Sequence, residues 1–99
     1  MIRGTTPTLE FTIPFDTNLL EEAYVTLAQN KKIVIDKSLS ECRCSDNVLS
    51  VKLTQEETLL LSSNSTVEIQ IRARTKDGNA VASEIMAVSP DRILKDGVI

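Results

Sequence analysis

Cys42 and Cys44 are the residues of this chain whose type and spacing most suggest reactive chemistry. Separated by Arg43, they would share one face of a strand with Cα atoms about 6.5–7 Å apart, at or past the upper edge for an unstrained disulfide. A metal site would need more ligands, and the sequence holds no histidine and no third cysteine. Those counts favour two reduced thiols acting as small apolar side chains. Glu56 and Glu57 form the densest acidic pair. Adjacent helical positions diverge by about 100°, so these carboxylates do not converge, and both suit the positive end of a helix start. A nucleophilic serine would have no histidine beside it, and no motif supplies a lysine or carboxylate base instead. Asn64-Ser65-Thr66 fits the glycosylation acceptor pattern but, without a secretion signal, reads as a polar turn. Asp77-Gly78 and Asp96-Gly97 are turn chemistry and carry no phosphate-cradling pattern. The expectation is a chain with no catalytic residues, no cofactor and no metal.

What the residues do specify is a set of short strands. Val67, Ile69, Ile71 and Ala73 alternate with Glu68, Gln70, Arg72 and Arg74, the period of a strand with one buried face. Lys76-Asp77-Gly78 supplies a turn, and a second β-rich run spans Ala80 to Val88. A two-residue Asp77-Gly78 loop would pair Ile71 with Glu84 and bury that carboxylate. A three-residue loop with Gly78 left-handed pairs Val67 with Ala87, Ile69 with Ile85, Ile71 with Ser83 and Ala73 with Val81. Because a one-residue slip inverts every side chain, burial selects the longer loop. Gln70 then faces Glu84 and Arg72 faces Ala82 on the outer side, and Met86 and Val88 also point outward.

Residues 7 to 15 read as a first strand, with Leu9, Phe11, Ile13 and Phe15 inward and Thr8, Glu10 and Thr12 outward. Pro14 cannot donate to a ladder, which puts this strand at a sheet edge or ends it there. Leu20 to Gln29 follows, with Ala23, Val25 and Leu27 alternating with Tyr24, Thr26 and Ala28; Leu19 to Ala23 could also form a helical turn, but the Tyr-Val-Thr run favours strand. Asn30-Lys31 turns into a short strand from Lys32 to Lys37. Ser40 to Cys44 and Asn47 to Leu53 read as another hairpin, turning at Ser45-Asp46-Asn47. Thr54-Gln55-Glu56-Glu57 is a capping box opening one to two helical turns through Leu59, Leu60 and Leu61. Ser62 to Ser65 is a polar loop. After Ser89-Pro90, Asp91 to Lys95 suits a helical turn and Asp96 to Ile99 a loose tail.

Ninety-nine residues fit one domain, with a core from about Thr6 to Ser89 and a short C-terminal tail. The hydrophobic fraction of 41% with 25% charged residues argues against disorder. A net charge of −3 with no basic run and 3% aromatics argues against nucleic acid as a partner. No apolar leader core opens the sequence and no segment is long enough to span a bilayer, so membrane partners are not expected and synthesis in the cytosol is. Six or seven short strands with one helical interruption fit an all-β, antiparallel immunoglobulin-like sandwich; a small open barrel is the alternative.

Three segments carry a resemblance: Thr6 to Phe15, Val51 to Thr58, and Glu68 to Gly78. Together they resemble small uncharacterised proteins encoded in prophages of Gram-positive bacteria. They are similar, more distantly, to the immunoglobulin-like N-terminal module of phage baseplate upper proteins. The resemblance spans about Thr6 to Val88 and implies a structural or adaptor role in a phage tail or baseplate. Partners would be other tail or baseplate proteins and a second copy of the chain, first in the bacterial cytoplasm and then in the virion. The chain has no counterpart of the baseplate proteins' long C-terminal stalk or receptor-facing region. The face expected to dock another protein is formed by Gln70, Arg72, Arg74, Ala82, Glu84, Met86 and Val88, with Met86 as its apolar contact. The competing reading is a stand-alone ligand- or carbohydrate-binding module, for which Tyr24, Phe11 and Phe15 are the aromatic candidates. An enzyme ranks third.

Overall fold

The computed structural model describes all residues from Met1 to Ile99. Eight strands form two antiparallel sheets: β1 (Thr8–Thr12), β2 (Leu20–Gln29), β3 (Lys32–Ser38), β4 (Arg43–Ser45), β5 (Val48–Lys52), β6 (Val67–Thr75), β7 (Ala80–Ala82) and β8 (Met86–Val88). The smaller sheet has the order β1-β5-β4. The larger has the order β3-β2-β6-β7, with β8 continuing β7 along the same side of β6. One short helix, α1 (Gln55–Leu59), lies between β5 and β6. In chain order the strands take positions B, C, C′, D, E, F and G of an immunoglobulin-like sandwich, with β7 and β8 together forming G. Strand A has no counterpart, so β1 pairs with β5 alone and is an edge, as Pro14 at its end predicts.

The core lies between the sheets. Ala23, Val25 and Leu27 of β2 and Val67, Ile69 and Ile71 of β6 meet Leu49 and Val51 of β5, with Ile35, Leu53 and Leu61 at the margins. Leu9, Phe11, Ile13 and Phe15 pack against this cluster and stay half-exposed, because no strand covers the outer edge of β1. The alternation that defines β2 also sends Gln29 inward, where it is 6% exposed. Its amide donates to the Ser62 and Ser65 carbonyls (2.7 and 3.0 Å) and accepts from the Ser62 N–H (2.8 Å), which fixes the loop before β6.

Local chemistry places the connections. Asn30 and Lys31 both have positive φ (51° and 64°), which is what a two-residue turn matched to strand twist requires. Thr54 caps α1 as expected: its hydroxyl accepts from the Glu57 N–H (3.1 Å), and the Glu57 carboxylate accepts from the Thr54 N–H (2.9 Å). Arg3 closes the other end, donating to the Leu61 and Leu59 carbonyls at 2.5 and 3.0 Å. Gly4 lies beside it at φ 72°, and a Cβ there would come within 3.1 Å of Ile93.

The β6–β7 hairpin has the expected three-residue loop. Thr75 and Asn79 close it, the Gly78 N–H donates to the Thr75 carbonyl, and Gly78 has φ 89°. Arg72 faces Ala82 and Ala73 faces Val81. The register then changes: Ile69 pairs with Met86 and Val67 with Val88, one residue later than the hairpin alone dictates. A bulge at Ser83–Ile85 takes up the extra residue. Ser83 supplies its own ladder there, its N–H donating to the Ile71 carbonyl and its hydroxyl accepting from the Ile71 N–H (2.9 and 3.0 Å). Gln70 donates to the Ser83 carbonyl at 3.0 Å. The shift moves Met86 and Val88 to the inner side, where Val88 packs on the core, and turns Ile85 outward, 58% exposed. This corrects the expected outward placement of Met86 and Val88. Core packing of the larger Val88 side chain in place of Ala87 is the physical gain from the bulge, while Met86 keeps 37% exposure on the inner side.

Two further expectations change. Ser40 to Cys44 is not one strand, because a 3₁₀ turn occupies Leu39–Glu41 and only Arg43–Ser45 pairs with β5. Asp91 to Lys95 forms no helical turn; Asp91 instead makes a parallel bridge to Ile2. The tail is anchored at its end, since Gln55 bonds both the N–H and the carbonyl of Ile99 (2.8 and 3.2 Å).

Candidate functional site

The outer face of the larger sheet holds four of the seven residues expected in an interface, Gln70, Arg72, Arg74 and Ala82. Pleat alternation on β2 presents Glu22, Tyr24, Thr26 and Ala28, and on β6 Glu68, Gln70, Arg72 and Arg74. Cross-strand rows place Tyr24 beside Arg72, Thr26 beside Gln70 and Ala28 beside Glu68. Asp36 continues the Thr26 row onto β3 and accepts from its hydroxyl at 2.7 Å. A bulge between Leu27 and Ala28 sets Ile33 next to Ala28, so Ile33 also faces out and is 66% exposed. On the far side of β6 the face is completed by Ala80, Ala82 and Ile85. The result is a shallow depression of about 620 Å³ with Tyr24, Ile33 and Ile85 around it.

The electrostatics of this face are uneven. Arg74 pairs with Glu21 at 3.3 Å, with both side chains more than half exposed. Arg72 and Glu68, four residues apart on the same side of β6, make no hydrogen bond or ion pair through their side chains within the chain. Glu22 lies opposite Arg74 and Glu21 pairs with it, so that end of the strand is charge-balanced; Arg72 and Glu68, one on either side of the Gln70 row, are the opposite charges of β6 left without a partner.

Of the residues expected in an interface, Gln70, Arg72, Arg74 and Ala82 share this face. Glu84 is exposed within the bulge and pairs with no residue of β6, so its expected pairing with Gln70 is lost. Met86 and Val88 belong to the other side of the sheet. The apolar members that sequence reasoning left out are Ile33 and Ile85. Ile33 stands in an Ile-Val-Ile run with no alternation to give its face, and Ile85 depends on a bulge set by the Ser83 hydroxyl. Tyr24 was legible as outward-facing from the β2 alternation.

Elsewhere the polar groups have structural partners. Lys37 of β3 lies between Glu57 of α1 (2.5 Å) and Glu41 (3.5 Å), its side chain only 12% exposed. The Glu57 hydrogen bond raises Lys37 above its usual value, outweighing the effect of burial. Burial pulls the Glu57 carboxyl up, but Lys37 and the Thr54 N–H more than offset this and leave it lowered. The Ser38 N–H and hydroxyl, with Lys37 adding to them, hold Glu41 low. This triad joins the larger sheet to α1, away from the depression on the outer face. Cys42 and Cys44 are both free thiols; Cys42 is half-buried with its thiol pushed up by burial, and Cys44 is exposed. No cluster of three or more His, Cys, Asp or Glu side chains comes together as a metal site. No helix is long and apolar enough to cross a membrane.

A second depression, about 380 Å³, lies along the open side of the sandwich between β1 and the β7–β8 strand, lined mainly by apolar groups including Phe11, Ile13, Phe15 and Met86. It marks where strand A would lie in a complete sandwich. Comparison of the chain with protein-family models, curated proteins and solved structures finds no match.

Proposed function

We propose that this protein is a non-enzymatic structural or adaptor module that works through protein–protein contacts made by the outer face of its larger sheet. The observation that carries this reading is that Tyr24, Ile33 and Ile85, exposed by 44%, 66% and 58%, border one depression on the same sheet face as the unpartnered Arg72 and Glu68. Large apolar side chains left exposed on one sheet face, beside charged groups that have no partner in the chain, suit a surface that receives another protein. The assembly we assign it to is a phage tail or baseplate, reached from the cytoplasm of a lysogenic bacterium; this assignment rests on the resemblance of its strand-and-turn segments to prophage proteins. The test is a mass-spectrometric inventory of particles purified after prophage induction. The chain is expected at a fixed stoichiometry to the tail proteins, and its absence from intact particles would refute the assignment.

A further inference from the structure

We infer that the outer face of the larger sheet pairs with the same face of a second copy of this chain, across a twofold axis lying along the Thr26–Gln70 row. The inference rests on the reading of that face as a docking surface and names its partner. A twofold interface needs a patch that complements itself, since each contact between one residue and another is made twice. This face meets that condition along β6. An axis through Gln70 sets Arg72 of one copy over Glu68 of the other, and Glu68 over Arg72. Both side chains are exposed and neither has an ion-pair partner within its own chain.

The same operation matches large groups to small ones. Tyr24 lies one row to one side of Thr26 and Ala28 one row to the other, so each Tyr24 ring enters the depression above the partner's Ala28. Ile85, level with Gln70 in the bulge, meets its own copy. Asp36 also meets its own copy; it is exposed on the outer strand β3 and tied to Thr26, where solvent screens the repulsion. Stacked sheets lie about 10 Å apart with strand directions offset by about 30°, a spacing that Tyr24 and Arg72 side chains span.

The area sets the strength. Four strand positions about 4.8 Å apart, over the nine residues of β6 at about 3.3 Å each, give about 500–600 Å² of sheet per copy. That is at the lower end of the range for specific interfaces, so the dimer is weak and concentration-dependent.

Sedimentation equilibrium of the full chain, from micromolar to sub-millimolar concentration, tests the inference. A reversible monomer–dimer equilibrium is expected, with backbone amide shifts on dilution confined to β2, β3, β6 and the Ser83–Ile85 bulge. Tyr24→Glu should abolish the dimer while leaving the melting temperature of the dilute protein unchanged. Arg72→Glu and Glu68→Arg should each weaken dimerisation about tenfold, and the double reversal should recover most of the loss. A monomer at every concentration overturns the inference while leaving the docking surface to a different protein. Dilution shifts on β1 or β4, or a double reversal that fails to restore pairing, overturn it as well. Absence of the chain from phage particles, by contrast, bears on the assembly and not on this pairing.

Discussion

Gln29 shows how much one side chain can hold in a small domain. Its amide satisfies two carbonyls and one N–H of the Ser62–Ser65 loop from inside the sandwich. Gln29→Leu keeps the volume and strands those three groups, so a loss of about 2–3 kcal/mol is expected in urea unfolding. The alternation of β2 placed Gln29 inward from sequence alone, but which groups it would meet was decided by a loop more than thirty residues away. Lys37 makes the complementary case through charge. Glu57 is held below its ordinary value of 4.5 in the fold, so its contribution is present above that pH and disappears as pH falls through the lowered value. Lys37 is raised above 10.5, so its contribution is present below that pH and is lost as pH rises through the raised value. Stability should therefore form a plateau from about pH 5 to pH 10, falling on both sides. Lys37→Met should flatten the acid limb, as read by urea midpoints across pH; an unchanged limb would mean that other carboxylates set it.

At the scale of elements, the β6–β7–β8 ribbon records where local rules held and where they gave way. The Lys76-Asp77-Gly78 loop was legible because burial and turn chemistry both demanded it. The bulge that follows was not legible, since it turns on Ser83, a residue with no strong strand or turn signature, whose hydroxyl takes the Ile71 N–H. Ser83→Ala should cost about 1–2 kcal/mol and loosen β8 first, seen as faster amide exchange at Met86 to Val88. A uniform change in exchange across β6 and β8 would argue that the bulge is held by packing instead. The edge of β1 is a second consequence of architecture. Hydrogen-bonded pairs with β5 alternate along an antiparallel ladder, and Ile13–Asn47 and Pro7–Leu53 are two of them, so the backbone groups of Thr8, Glu10 and Thr12 point to the open side. Glu10 and Pro14 are the features that guard this edge. Glu10→Val should leave the fold intact and shorten the lag of aggregation on agitation.

At the scale of the whole molecule, the absence of a strand A leaves the sandwich open along one side. Only 16 of 99 residues are buried, and the radius of gyration, 14.2 Å, exceeds the roughly 13 Å of a compact chain this long. Stability near the low end of the usual range, about 5 kcal/mol, is expected for so small a core. A partner bound to the outer face adds to it by mass action, so the melting temperature should rise with protein concentration for the wild type and stay constant for Tyr24→Glu. Equal behaviour of the two in a calorimetric concentration series would remove the dimer from the account. The sequence by itself determined most of the strands and their turns and the capping box, and through Pro14 limited β1 to a sheet edge or an ending there, because each depends on periodicity or on conformations that a few adjacent residues dictate. It also predicted reduced thiols at Cys42 and Cys44. The tertiary structure alone decided which apolar residues remain outside. Ile33 and Ile85 face outward through bulges, one in the β2–β3 ladder between Leu27 and Ala28 and one where the Ser83 hydroxyl meets Ile71 of β6, and such ladder contacts between strands are not dictated by the period of either strand alone.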